Sequence, residues 1–380
     1  MLTESIINGN LEFNVPVDVI DNEVADLIIK LELKEGFDPH VVFDPAKHII
    51  YKDSDFDEVK KFTLDDLKIS KTQVTPISNL AVTDPVPIFS EEACDIMKWE
   101  AFQRKNIEKY AKSPSFSRYI SATDFQISGY LDSAPFTLAA WKHPRTQDII
   151  NKFADINLKT MFDYEIATLN TSLVDSRKKI ETEKSNEELE ELSEDSKALF
   201  DWHYDSTSFT AVLMLSTNDD MSGGKTGLKN GNEEVIYING PKKGYVTILQ
   251  GRVVKHIATK PLSNDERISS IVAYIPESIH VPDTTVLTTV RPSVSPRSLY
   301  NEYYPQWIDY RFKRIEAQLA DKRLELLKKM KEGKRFEQLE VVSFCKDISE
   351  YLKKSWVEFE SVVENEVFPP EVFKLPYKDL

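Results

Sequence analysis

Two histidines and one aspartate stand in the order His203-x-Asp205…His256, and Arg267-x-Ser269 begins eleven residues after the second histidine. His-x-Asp…His is the ligand order of a facial metal triad. Two neutral imidazoles and one carboxylate hold one side of the ion, leave three positions open, and suit Fe(II). An arginine with a hydroxyl beside it is a ready anchor for a dicarboxylate, because the planar guanidinium fork takes a carboxylate bidentately and the serine adds a donor. The His-x-Asp pair means little by itself: six histidines and 63 acidic residues in 380 give roughly one such pair by chance. Its surroundings give it weight.

In an extended segment His203 and Asp205 point to one face. The apolar, β-branched run Phe209–Ser216 that follows reads as a buried strand, and Ser222–Gly227 as a turn. Strand-like runs then recur at Val235–Ile238, Tyr245–Leu249, Val253–Ile257 and Arg267–Ile275, separated by Asn239-Gly240-Pro241, Gly251 and Pro261–Asp265. Short strands at this spacing predict a sandwich or jelly roll, which would bring His256 beside His203 and Asp205. Arg267, Ser269, Ile271, Ala273 and Ile275 share a strand face by the period of two. An arginine in line with apolar residues points inward, and a buried guanidinium needs an anion.

At this point the chain resembles a known family. Trp202-His203-x-Asp205, Gly223-Gly224-x-Thr226, Gly251-Arg252-x-x-x-His256 and Arg267-x-Ser269 together look like the iron and 2-oxoglutarate-dependent dioxygenases, most closely the small-molecule oxygenases of fungi. The resemblance covers 165–277. It extends more weakly over 75–160, through Pro76-Ile77-Ser78 and Phe89–Ala93. Outside those limits it fails. It implies a double-stranded β-helix, or jelly roll, which with the N-terminal helices and the C-terminal helical extension read from the residues themselves makes a mainly β, α+β fold. It implies His203, Asp205 and His256 as ligands of Fe(II), and Arg267 with Ser269 as the site of 2-oxoglutarate, with O2 as the second cosubstrate. The implied reaction is hydroxylation, desaturation or cyclisation of a small, amino-acid-like metabolite, with release of succinate and CO2. Two positions depart from the pattern: Lys225, where many relatives carry glutamate, and the eleven-residue step from His256 to Arg267.

Composition bounds the alternatives. With 41% apolar and 11% aromatic residues the chain can build a real core. A formal charge of −15 argues against nucleic acid or an anionic membrane as partner. Two cysteines imply no disulfide framework, and the first residues lack the pattern of a signal peptide. No apolar stretch approaches a membrane span, so a cytoplasmic setting is expected. An oxygenase acting on a protein side chain is the first alternative. A non-catalytic jelly-roll binding protein is the second.

The chain divides into an N-terminal extension (1–65), a catalytic unit (66–290) carrying a charged insert (177–197), and a C-terminal helical region (291–380). Phe89–Lys112 reads as a helix capped by Ser90, with Glu91 and Glu92 in its first turn. Arg145–Phe153 reads as another helix, and Tyr164–Leu173 as the first barrel strand. His40, His48 and His143 read as structural. The insert is a solvated or disordered run, or a lid near the barrel mouth. Arg118 and Arg252 are the candidates for holding a substrate carboxylate. From Asn301, apolar residues at three-, four- and seven-residue steps predict two long amphipathic helices split near Glu332-Gly333, packed on the barrel or forming a homodimer interface.

Overall fold

The computed structural model describes residues 14–112, 122–173, 198–216, 224–238, 242–259, 266–290 and 299–359. In chain order its strands are β1 (Lys61–Thr63), β2 (Leu80–Thr83), β3 (Val86–Pro87), β4 (Ala111–Lys112), β5 (Asp124–Ile127), β6 (Leu158–Thr160) and β7 (Thr168–Ser172). Then come β8 (Ala198–His203), β9 (Phe209–Met214), β10 (Thr226–Lys229), β11 (Val235–Tyr237), β12 (Tyr245–Leu249), β13 (His256–Thr259) and β14 (Arg267–Pro276). They form two antiparallel sheets. The larger has the order β1-β2-β12-β9-β14-β7-β5-β4, with β3 also on β12 and β6 on β14; the smaller has the order β11-β10-β13-β8. The architecture is a β-rich α+β fold.

The large sheet sorts its residues by the period of two. Phe125, Ile127, Leu169, Ala211, Leu213, Val246, Ile248, Ile268, Val272 and Tyr274 point to one side. There they join Ala93, Ile96, Met97, Phe136, Trp141, Ile149, Ile150 and Phe153 from the helices Glu91–Ala101, Pro135–Lys142 and Pro144–Ala154. The alternate residues of the same strands are mostly polar: Gln126, Thr168, Asn170, Thr210, Thr247, Arg267 and Ser269. With Val212, Leu249, Ile271 and Ala273 they line a cavity shared with His203, Thr226, His256 and Ala258 of the small sheet. A buried face that is polar is not a core. It is the wall of a site.

Several elements differ from their sequence reading. Phe89–Lys112 is two helices and a strand. Ser90 does cap the first, its Oγ accepting from Ala93 N at 3.2 Å, but the chain turns extended at Gln103 (φ −59°, ψ 132°) and restarts as Arg104–Tyr110 before β4. His143 caps the helix Pro144–Ala154, its Nδ1 accepting from Arg145 N at 3.1 Å. Tyr164 lies in a 3-10 turn, Asp163–Glu165, and the strand starts only at Thr168. Val253 and Val254 are not strand residues. They sit in a turn closed onto the Gln250 carbonyl, buried with Leu249 and Leu67, and β13 begins at His256. An apolar turn under a sheet has the composition of a strand, which is why the two read alike. The segment 177–197 lies outside the described residues.

The N-terminal segment joins the main core through Val19, Val24, Leu27 and Leu31, and β1 pairs with β2. The two C-terminal helices are Tyr300–Lys331 and Gln338–Val357, separated at Glu332 and Gly333. Tyr303, Trp307 and Tyr310 pack against Met161, Phe162, Ile275 and Leu287, while Leu324, Met330 and Phe336 remain exposed. No helix among the described residues is long and apolar enough to cross a membrane.

A buried carboxylate fixes these helices to the loop that covers the cavity. Asp283 accepts from the hydroxyls of Tyr310, Tyr351 and Thr285 and lies 3.7 Å from Arg311 and 3.9 Å from Arg314. Burial works against its charge, yet the two guanidinium groups hold its pKa below the usual carboxylate value. Asp283→Ala would leave both arginines buried without their counter-ion. It is expected to cost about 3–5 kcal/mol of stability, read by urea denaturation.

Candidate active site

His203 ends β8 and His256 begins β13, and the two residues are register partners across that strand pair. Their rings lie 4.3 Å apart, inclined at 55°. Asp205 follows β8 by two residues. Its backbone N–H donates to the Gly251 carbonyl at 2.9 Å, which turns its carboxylate between the imidazoles. Oδ1 lies 3.5 Å from His203 Nε2 and 3.4 Å from His256 Nε2. The other oxygen, Oδ2, accepts from Thr210 Oγ1 at 2.6 Å.

The donor set fits a metal ion. One ligand atom from each of the three residues lies within 4.8 Å of the others. Cis ligands about 2.1 Å from a divalent metal sit roughly 3 Å apart, close to the observed spacing. His256 Nδ1 is 3.0 Å from the Val254 carbonyl. A carbonyl only accepts, so Nδ1 donates to it, and Nε2 is the ring atom turned toward Asp205, free to take a metal ion in place of a proton. Electrostatics agree. Burial alone would raise the Asp205 pKa, but the two histidines overcome it and hold the carboxyl well below its ordinary range. Burial likewise opposes the charged form of His256, and Asp205 outweighs it, raising that pKa.

Gly251 belongs to this site for a steric reason. A Cβ placed there would lie 1.9 Å from Asp205 Oδ2. Gly251→Ala must therefore displace the carboxylate or the turn. We expect at least about a tenfold loss of metal affinity, about 1.4 kcal/mol, measured by anaerobic titration.

Arg267 and Ser269 line the same cavity from β14. Arg267 is 2% exposed, its Nε 3.3 Å from the Gly224 carbonyl and its Nη1 3.3 Å from Ser269 Oγ. No carboxylate pairs with it among the described residues. Burial lowers its pKa to about 10, so it stays charged near neutrality. A buried cation facing a cavity with neutral neighbours only is costly unless an anion arrives.

The other arginines fall elsewhere. Arg252 is not among the residues that line the cavity, and its Nε donates to the Thr284 carbonyl at 3.2 Å. It sits in the turn that carries Gly251, where it braces the loop. Arg118 lies outside the described residues. The sequence reading also passed over one wall of the cavity, formed by Lys112, Gln126, Glu165, Thr168 and Asn170. A signal was present: polar residues at every second position of Asp124–Ser128 and Thr168–Ser172, in segments too short to stand out. The loop Thr285–Val290 closes over the metal side. Val286 N donates to the Ser206 carbonyl at 2.9 Å, and Thr289 N to Ser206 Oγ at 2.7 Å.

No protein-family model matches this sequence, and no curated protein is similar to it. Solved structures are similar at a distance. A putative oxygenase from Shewanella oneidensis is 12% identical with a TM-score of 0.38, over 70% of this chain and 99% of that one. A prolyl-4-hydroxylase from Pseudomonas putida is 14% identical with a TM-score of 0.30, over 57% and 93%. A 2OG-Fe(II) oxygenase family oxidoreductase from Burkholderia pseudomallei is 11% identical with a TM-score of 0.31, over 44% and 74%.

Proposed function

We propose that this chain is an Fe(II)- and 2-oxoglutarate-dependent oxygenase on a double-stranded β-helix, acting on a small, amino-acid-like metabolite. One observation carries the reading: the His203, Asp205 and His256 ligand atoms converge in the same cavity that Arg267, a buried cation without a carboxylate partner among the described residues, lines from β14. Bound iron, with 2-oxoglutarate and dioxygen, supplies oxidation of a substrate C–H bond with release of succinate and CO2.

The protein's own residues bind and orient. His203, Asp205 and His256 would hold the iron, their ligand atoms lying within 4.8 Å of one another. Val254 fixes the tautomer of His256, and Thr210 fixes the second oxygen of Asp205, so neither ligand must reorganise when the metal binds. Arg267 and Ser269 would hold the distal carboxylate of 2-oxoglutarate. Ile271, Ala273, Val212 and Leu249 supply apolar wall and exclude water.

The test is succinate release from 2-oxoglutarate by the iron-loaded chain, screened against fractionated metabolite pools. A fraction that raises the rate well above the substrate-free rate supports a small-molecule oxygenase. Stimulation by protein fractions alone would point to a protein side chain as substrate.

A further inference from the structure

The C-terminal hairpin leaves the body of the molecule without a core of its own. Its first helix is anchored by Tyr303, Trp307, Tyr310 and Ile315, all buried. From Glu316 to Lys354, through the end of that helix and most of the second, no residue is buried. The two helices are tied there by charge: Lys322 and Lys329, bridged by Glu325, both pair with Glu340 of the second helix. Exposed pairs of this kind stabilise little. Yet the stretch is not polar. Leu319, Leu326 and Met330 follow one another at steps of seven and four, the spacing of a coiled-coil seam. With Val341 and Phe344 of the second helix, and Phe336 at its end, they line one open groove between the helices. Leu319 is 48% exposed, Phe336 63% and Met330 66%. An apolar groove this open on a helix pair marks a place where further helices pack.

We propose that a second copy of this chain fills the groove, its hairpin crossing antiparallel to complete a four-helix bundle about a two-fold axis. Size and charge select this occupant. The second helix has 20 residues. The open face is therefore about 30 Å long, and about 20 Å wide across two helices. Paired with itself, such a face approaches the about 800 Å² per partner that a stable interface buries. The tip carries Lys328, Lys329, Lys331, Lys334 and Arg335 against Glu332 alone, on a chain whose net charge is −15. The base of the hairpin exposes Glu277, Asp309, Glu316 and Asp321. An antiparallel crossing sets each basic tip beside the acidic base of the other copy. A parallel one would bring two basic tips together, at a cost. None of the groove residues lines the catalytic cavity, so the proposal stands apart from the oxygenase reading.

The test is sedimentation equilibrium of the full chain. A dimer with a Kd at or below about 10 µM is expected. Met330→Glu combined with Phe336→Glu, at two exposed positions, should weaken it at least about a hundredfold, about 2.8 kcal/mol, with the circular dichroism unchanged. Carbodiimide coupling in a mixture of isotope-labelled and unlabelled chains should join Lys328 or Lys331 of one copy to Asp309, Glu316 or Asp321 of the other. A full chain still monomeric at about 100 µM would overturn the proposal and leave the groove to a different partner. A dimer that the double variant leaves intact would overturn it as well, by placing the interface elsewhere. Links between copies that join tip to tip, through Glu332, would overturn the antiparallel crossing.

Discussion

The His256→Ala variant is expected to lose iron binding and all turnover while remaining folded. His256 supplies one of only three protein donors, with its Nε2 3.4 Å from Asp205 Oδ1 and its tautomer fixed by the Val254 carbonyl. Losing a residue that merely supports a ligand costs about 10–100-fold in metal affinity, so losing the ligand should exceed the upper end of that range. The fold should survive, because β13 is held to β8 and β10 by backbone pairing rather than by the imidazole. Circular dichroism would report the fold and anaerobic titration the affinity. Near-wild-type Fe(II) affinity in a folded His256→Ala protein would sink the ligand assignment. Asp205→Ala should be inactive as well, although an added anion such as formate has room to take the place of its carboxylate.

The second large effect belongs to Arg267. Losing a buried, charge-assisted bidentate contact costs about 2–5 kcal/mol. Arg267→Gln should therefore raise the KM for 2-oxoglutarate by roughly thirtyfold to several thousandfold, at about 1.4 kcal/mol per factor of ten. Iron affinity should change little, because Arg267 is not among the clustered ligand atoms. Arg267→Lys should fall between, keeping the charge without the planar fork. An unchanged KM with iron still bound would place the anchor elsewhere in the cavity.

What was legible in the sequence was what repeats regularly. The strands at Phe209–Met214, Tyr245–Leu249 and Arg267–Pro276 follow their apolar runs because both faces of each are buried, one under helices and one in the cavity. The inward face of Arg267 and Ser269 followed from the period of two. The meeting of His203 with His256 depended on register, which is set by long-range pairing and by a turn, Gly251–Val254, whose apolar residues imitated a strand. The break at Gln103 was hidden because helical propensity runs on across it, without glycine or proline to mark it. The Lys112–Gln126–Asn170 wall was hidden for another reason. It assembles from short strands distant in the chain, and in each the polar residue alone looks like a solvent-facing position. Nothing local says that the face is enclosed.

Equilibrium dialysis of 2-oxoglutarate against the full chain, with and without Fe(II) and in the absence of oxygen, tests the central claim most directly. The predicted result is binding of 2-oxoglutarate that requires iron, that is lost in His256→Ala with the iron itself, and that is weakened in Arg267→Gln with the iron still bound. Iron binding at wild-type level without any 2-oxoglutarate binding, or 2-oxoglutarate binding indifferent to iron and to Arg267, would contradict it.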